Sequence, residues 1–243
     1  MDKLIVGHWC VPRSASTAFE KCFSQRTDTT IVHEPFTNCY YFSNWRRSDR
    51  YGDYEGMVDY SSEKCIELIN ESDGSIVFFK ELGFQALHYT NMDFFASIKN
   101  TFMIQHPLFV LESLYKLKPD FSEEEFGFTA LYELWLKVTQ VLKQETLVVD
   151  SNTFRSNPEK TLQIYCAHLN IDYQINMPKW ESGRIAEWEP HESESQAKWH
   201  STLEQSNGIL PPDFVLPNID IRPEHEEIYH RALEIYELLK SNC

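Results

Sequence analysis

The sequence predicts a single α/β domain over residues 1–243, a parallel sheet covered by helices on both faces. Three observations carry this. Short apolar runs alternate with longer segments of helical spacing along the chain. Hydrophobic residues make up 42% and aromatics 14%, enough for a core and too many for a disordered chain. No internal repeat, low-complexity tract or linker divides the 243 residues, a length compatible with one α/β unit at the usual ~150 residues per domain.

Each element follows in order. Residues 3–9 form a predicted strand that ends at Cys10-Val11-Pro12, and residues 16–25 carry Ala18, Phe19, Cys22 and Phe23 at helical spacing. Residues 29–32 are a second short strand. Residues 61–71 read as a helix on Cys65, Ile66, Leu68 and Ile69. An Asp73-Gly74 turn opens a buried strand at 75–80. Residues 100–105 are another strand, broken by Pro107, and 108–117 a helix. Ser122 and Glu125 have capping-box spacing before a predicted long helix over 123–143. A strand at 146–150 precedes a helix at 158–169 with Pro158 in its first turn. Residues 180–217 are polar and weakly periodic, a candidate lid, and a final amphipathic helix spans 223–240. In such sheets ligands bind beyond the carboxyl ends of the strands.

Charge and composition narrow the function. With 22 Lys+Arg against 37 Asp+Glu the formal charge is −15. That excess excludes a broad nucleic-acid or anionic-membrane surface, which requires a basic footprint, but leaves room for a local anion site. No run approaches the ~18 apolar residues of a membrane span, and the N-terminal apolar run is too short for a signal segment. The six scattered cysteines contain no C-x-x-C, and the nine histidines no H-E-x-x-H. A cytoplasmic chain with free thiols and no metal is the expectation.

The informative segment is Pro12-Arg13-Ser14-Ala15-Ser16-Thr17-Ala18, between the first strand and the first helix. Small residues there let backbone N–H groups turn inward at a helix N-terminus. Arg13 adds a planar fork suited to phosphate or sulfate. An ordinary helix cap reads the same way from these residues alone. The segment is not a Walker A loop, since no G-x-x-x-x-G-K-[ST] occurs.

It resembles the 5′-phosphosulfate loop of sulfotransferases that use PAPS (3′-phosphoadenosine 5′-phosphosulfate), whose bacterial and tyrosylprotein members carry P-R-S-G-[ST]-T after a first strand. The resemblance extends through Gln25-Arg26-Thr27-Asp28-Thr29-Thr30-Ile31-Val32-His33-Glu34-Pro35. It continues with Phe79-Lys80, with His106-Pro107 and Ser113, and with Leu147-Val148-Val149-Asp150. The stretch 199–208 is similar to the closing W-Y-x-x-x-H-x-S-T-G of one subgroup, some of whose members bear the name branched-chain aminotransferase-like.

The resemblance implies a P-loop-like fold and transfer of a sulfuryl group from PAPS, leaving PAP, without a metal. It implies that Pro12, Arg13, Ser14, Ala15, Ser16, Thr17 and Ala18 hold the 5′-phosphosulfate. Gln105 and Ser113 would face the 3′-phosphate. Glu34, 21 positions after Arg13, would be the general base, with His33 as a weaker substitute, and Lys80 would place an ammonium on the transferring group. Two departures stand out. Gln105 occupies the family's Arg position, and Glu204 and Gln205 stand where the subgroup carries His and Arg. Looser 3′-phosphate binding, compensation by His106 or Arg184, or a changed donor is the expectation these raise.

Tyr40, Tyr41, Phe42, Trp45, Phe94 and Phe95 are candidates for an apolar acceptor pocket or for plain core. The basic cluster Arg46, Arg47, Arg50 reads as a solvated loop. The acidic balance favours a small acceptor, neutral or cationic. Two rivals stay open: a nucleotide-dependent kinase-like transferase, and a repurposed, non-catalytic descendant. Oligomeric state, a homodimer included, is also open.

Overall fold

The computed structural model describes residues 3–51, 60–183 and 202–243. Five parallel strands form one sheet in the order β2-β3-β1-β4-β5. They are β1 (Leu4–Cys10), β2 (Thr29–His33), β3 (Ile76–Leu82), β4 (Lys99–Ile104) and β5 (Leu147–Asp150). Strands buried on both faces read as continuous apolar runs, which is how the sequence predicted them.

Alternation within those runs sorts residues onto two cores. Val77 and Phe79, Phe102 and Ile104, and Val148 join one core. Ile76 and Phe78, Met103, and Val149 join the other. The first core is covered by α6 (Pro107–Leu117), α8 (Phe128–Leu136) and α11 (Glu226–Lys240). The second is covered by α1 (Ser16–Ser24) and α10 (Pro158–His168), with Phe19, Phe23, Leu162 and Tyr165 fully buried. The final helix is tied to the sheet by the Tyr236 hydroxyl, which donates to Asp150 Oδ2 at 3.0 Å.

Short helices that periodicity does not reveal fill the connections: α2 (Thr37–Phe42), α4 (Gly83–Ala86), α5 (Met92–Ser97) and α9 (Ser151–Ser156). The helix α3 (Ser62–Glu71) has Ser61 as its N-cap, accepting from Lys64 N.

One expectation is corrected. The long helix over 123–143 is broken into α7 (Glu123–Phe126), α8 and a π-helical turn at Lys137–Val141. The capping box of Ser122 and Glu125 does start α7. The break is Gly127, at φ 84°, where an added Cβ would lie 2.7 Å from Pro12 Cδ. Only glycine accommodates both the left-handed backbone and that approach.

All six cysteines are free thiols. Among the described residues no helix is long and apolar enough to cross a membrane.

Candidate active site

The carboxyl ends of β1, β2 and β3 meet at one cavity of about 320 Å³. Residues 12–18 form its floor. β1 stays paired to β4 one residue past its end, through Val11 N donating to Met103 O at 3.1 Å, and then turns sharply. Ser14 Oγ closes the turn on Val11 O at 2.8 Å. Arg13 and Ala15 take left-handed backbone, φ 59° and 61°. No side chain caps the N-terminus of α1, so its first-turn N–H groups have no cap from the helix's own flanks.

Among the described residues, three of the five non-glycine residues with positive φ, namely Arg13, Ala15 and Glu34, line this one cavity. Strain of this kind costs about 1–3 kcal/mol per residue and gathers where the surroundings impose a geometry. The Arg13 guanidinium donates from Nε to Ser113 Oγ at 2.8 Å, and burial lowers its pKa.

Glu34 follows the last residue of β2, and His33 is in register with Lys80. Glu34 N donates to Lys80 O at 3.0 Å, and its Oε1 pairs with Lys80 Nζ. Its second oxygen accepts from Thr37 Oγ1 at 3.0 Å. Lys80 is buried, which alone would lower its pKa, but the charges of Glu34 and Glu20 outweigh that and the net shift is upward. His33 Nδ1 pairs with Glu20 at 2.8 Å. Burial depresses the imidazole, Glu20 raises it more, and the net direction is up. Glu34 and Lys80 line the cavity; His33 stands behind it, occupied with Glu20.

Gln105 and Ser113 are not among the lining residues. The Gln105 amide is folded onto its own strand end: Oε1 accepts from His106 N at 2.7 Å, and Nε2 reaches Asn152 Oδ1 at 3.4 Å. His106 spends Nδ1 on Leu108 N, capping α6. Arg184 lies outside the described residues, as do residues 185–201 of the predicted lid. Its flank at 202–210 does contribute Thr202, Leu203, Gly208, Ile209 and Leu210 to the cavity wall.

Several wall residues escape the sequence reading. Arg155, on α9 just beyond β5, donates from Nε to Leu210 O at 3.0 Å and from Nη2 to Pro211 O at 2.5 Å. Lys118 and Glu125 pair at 2.6 Å on the opposite flank. Glu81 lies beneath, wholly buried, accepting from Phe36 N at 2.7 Å and Leu82 N at 2.8 Å. Burial and then the neighbouring Glu34 charge raise its pKa well above the carboxylate range despite those donors. A cation directly after a strand's carboxyl end was the available signal for Arg155. Lys118 and Glu125 give no such signal, because they reach the site only through the α6–α7 connection.

Of the six candidate acceptor aromatics only Tyr41 lines the cavity, joined by Tyr51 and Phe84. Tyr40 and Phe42 pack around them, Phe94 and Phe95 are in the main core, and Trp45 is exposed. The basic cluster is neutralised locally: Arg46 by Asp49, Arg47 by Glu124, and Arg50 by Asp120 and Glu125. Among the described residues no three His, Cys, Asp or Glu side chains gather as metal ligands.

Comparison with known proteins agrees with this arrangement. A family model described as "Sulfotransferase domain" matches residues 3–243. Two Arabidopsis thaliana proteins named branched-chain-amino-acid aminotransferase-like protein 1 and 2 are each 26% identical, over 98% and 97% of this chain. The chain spans only 42% and 41% of their lengths. Among solved structures, the sulfotransferase domain of the Synechococcus PCC 7002 olefin synthase superposes with TM-score 0.58 at 13% identity, covering 97% of this chain and 95% of that one. The sulfotransferase domain of the curacin biosynthetic pathway gives 0.51 at 11%, covering 95% and 97%. At these identities the structures speak for the fold: a P-loop-like α/β sandwich around a parallel sheet. The family match covers the whole described chain, and with it the protein belongs to the sulfotransferase domain family.

Proposed function

We propose that this chain transfers a sulfuryl group from PAPS to a hydroxyl or amine of a small-molecule acceptor, with Glu34 as general base. The observation that carries this reading is that Glu34 and the Arg13 loop line the same cavity, with Lys80 bonded to Glu34 beside them.

The residues present fit a phosphosulfate donor. The loop is already turned by the left-handed Arg13 and Ala15, and the first turn of α1 has no side-chain cap. In a cavity wall, such preformed donors act without reorganisation. Arg13 and the N–H groups of Ser14 to Ala18 would hold the 5′-phosphosulfate. When bound, PAPS supplies the sulfuryl group and a phosphate leaving group.

Glu34 takes the acceptor's proton, its second oxygen steadied by Thr37. Lys80 offers a buried ammonium at the same point, held protonated by its carboxylate neighbours. His33, fixed on Glu20, sets the end of β2 from which Glu34 projects.

For the 3′-phosphate, Gln105 is committed elsewhere, and Arg155 is the cation in the cavity wall on the β4–β5 side of the loop. Its Nε and Nη2 are fixed on backbone carbonyls, leaving further guanidinium donors for an anion. The engagement of Gln105 also favours a second reading, a donor that lacks the 3′-phosphate.

The test is transfer of labelled sulfate from PAPS to a pool of hydroxylated and amino acceptors in the presence of EDTA. Label should move into product with the wild-type chain and not with Glu34→Gln. Failure of the wild type with every acceptor, or near-normal turnover by Glu34→Gln, would contradict the reading.

A further inference from the structure

The acidic balance of the whole chain points to a neutral or cationic acceptor, but the cavity wall does not share that balance. Its described lining carries the cations Arg13, Lys80, Lys118 and Arg155 against the carboxylates Glu34 and Glu125. Resting on the reading of Glu34 as base, we propose that Lys118 is an anion subsite for the acceptor. The acceptor class is then a hydroxylated aromatic ring bearing a carboxylate.

Geometry gives the placement. Thr37 and Tyr41 are four residues apart on α2, hence on the same face and about 6 Å apart along the helix. Thr37 bonds Glu34 at 3.0 Å, and the Tyr41 hydroxyl lies 3.5 Å from Lys118 Nζ. The base and the ammonium thus meet successive turns of one helix, and both line the same cavity. The wall between them supplies Tyr41, Tyr51 and Phe84, which suit an aromatic body.

Charge supplies the sign. Glu125 is saturated: Oε1 accepts from Lys118 at 2.6 Å and Arg50 Nε at 2.8 Å, and Oε2 from Arg50 Nη2 at 2.7 Å and Ser122 N at 3.0 Å. One buried carboxylate therefore serves two cations, and the other partner of Arg50, Asp120, is solvent-exposed. The Lys118 ammonium has three N–H donors, of which Glu125 takes one and the Tyr41 hydroxyl a second, longer one. Burial lowers its pKa by more than Glu125 restores, so its desolvation is not fully offset by the protein. A ligand carboxylate would complete the site. In the transfer itself the acceptor O–S bond forms as the donor's bridging S–O bond breaks. The phenolic proton goes to Glu34, and the electron pair leaves with the phosphate.

The experiment measures calorimetric binding, to the PAP-saturated chain, of 4-hydroxybenzoate, its methyl ester and tyramine: one ring and hydroxyl with anionic, neutral and cationic arms. A charge-assisted contact predicts 4-hydroxybenzoate tighter by about 10-fold or more than the other two. Lys118→Gln should bring it level with the ester while ester and PAP affinities stay within about 3-fold, and Lys118→Arg should retain the preference. Equal or tighter binding of ester or tyramine, no binding of any of the three, or a preference that survives Lys118→Gln would overturn the subsite. In each of those cases wild-type PAP binding leaves the donor reading standing, whereas its loss would remove both.

Discussion

The carboxylate of Glu34 and the ammonium of Lys80 form a buried ion pair across adjacent parallel strands, at the point where β2 and β3 deliver their carboxyl ends to the cavity. The carboxylate helps hold Lys80 in its charged form, and both line the cavity with the loop that begins at Pro12.

That pairing has a stability consequence separable from catalysis. Removing one partner of a buried pair strands the other charge, at about 3–5 kcal/mol. Lys80→Met should therefore be less harmful in combination with Glu34→Gln than the sum of the single changes. A urea-denaturation double-mutant cycle reads the coupling, which should be at least ~1 kcal/mol. Strict additivity would show the pair to be energetically idle.

Gly127 couples a helix break to the loop at residues 12–18. With φ 84° and Pro12 Cδ 2.7 Å from any added Cβ, Gly127→Ala should cost about 1–3 kcal/mol and lower PAP affinity as Pro12 is displaced. Thermal unfolding and calorimetry on the same sample check both parts. An unchanged melting point would mean that Pro12 moves aside without cost.

Arg155 should discriminate nucleotides by their second phosphate. Arg155→Gln is expected to weaken PAP by about 10- to 100-fold while leaving AMP within about 3-fold, since only PAP carries the 3′-phosphate. Parallel losses for PAP and AMP would assign Arg155 to holding the 210–211 backbone instead.

His8 sets the acid limit. It is wholly buried, and desolvation, then the charge of Lys80, lower its pKa from 6.5 to about 3. The folded value lies below the unfolded one, so the stability it contributes is fully present above pH 6.5 and is lost as pH falls toward 3. His33 runs the other way: its raised pKa contributes stability below pH 6.5 that fades as pH rises through the folded value. Replacing His8 by Phe leaves Thr101 and Tyr165 bonded to each other at 2.5 Å, and should flatten the loss of stability between pH 6 and 4 measured by denaturant titration. An unaltered acid limb would place the titration elsewhere.

The strands, the turn at residues 12–18 and the separate candidates Glu34 and Lys80 were legible because each is a local pattern: an apolar run, a strand-to-helix turn, a charged residue at a strand end. The broken helix at 123–143 was not, since Gly127 breaks it through contact with Pro12, more than a hundred residues away. Lys118 was missed for the same reason: nothing beside it in sequence marks a site, and only the fold brings it to the cavity. Arg155 differs, since its place just beyond the carboxyl end of β5 was a local signal. Gln105 shows the converse. Its position in the sequence pattern suggested a phosphate contact, whereas the amide is spent on capping its own strand end.

The account rests above all on residues 12–18 as the donor site. Isothermal titration of PAP into the wild type and Arg13→Ala tests this most directly. Saturable binding by the wild type, abolished in a folded Arg13→Ala variant, is the expected result. No PAP binding by the wild type at millimolar concentration, or equal binding by the variant, would contradict it.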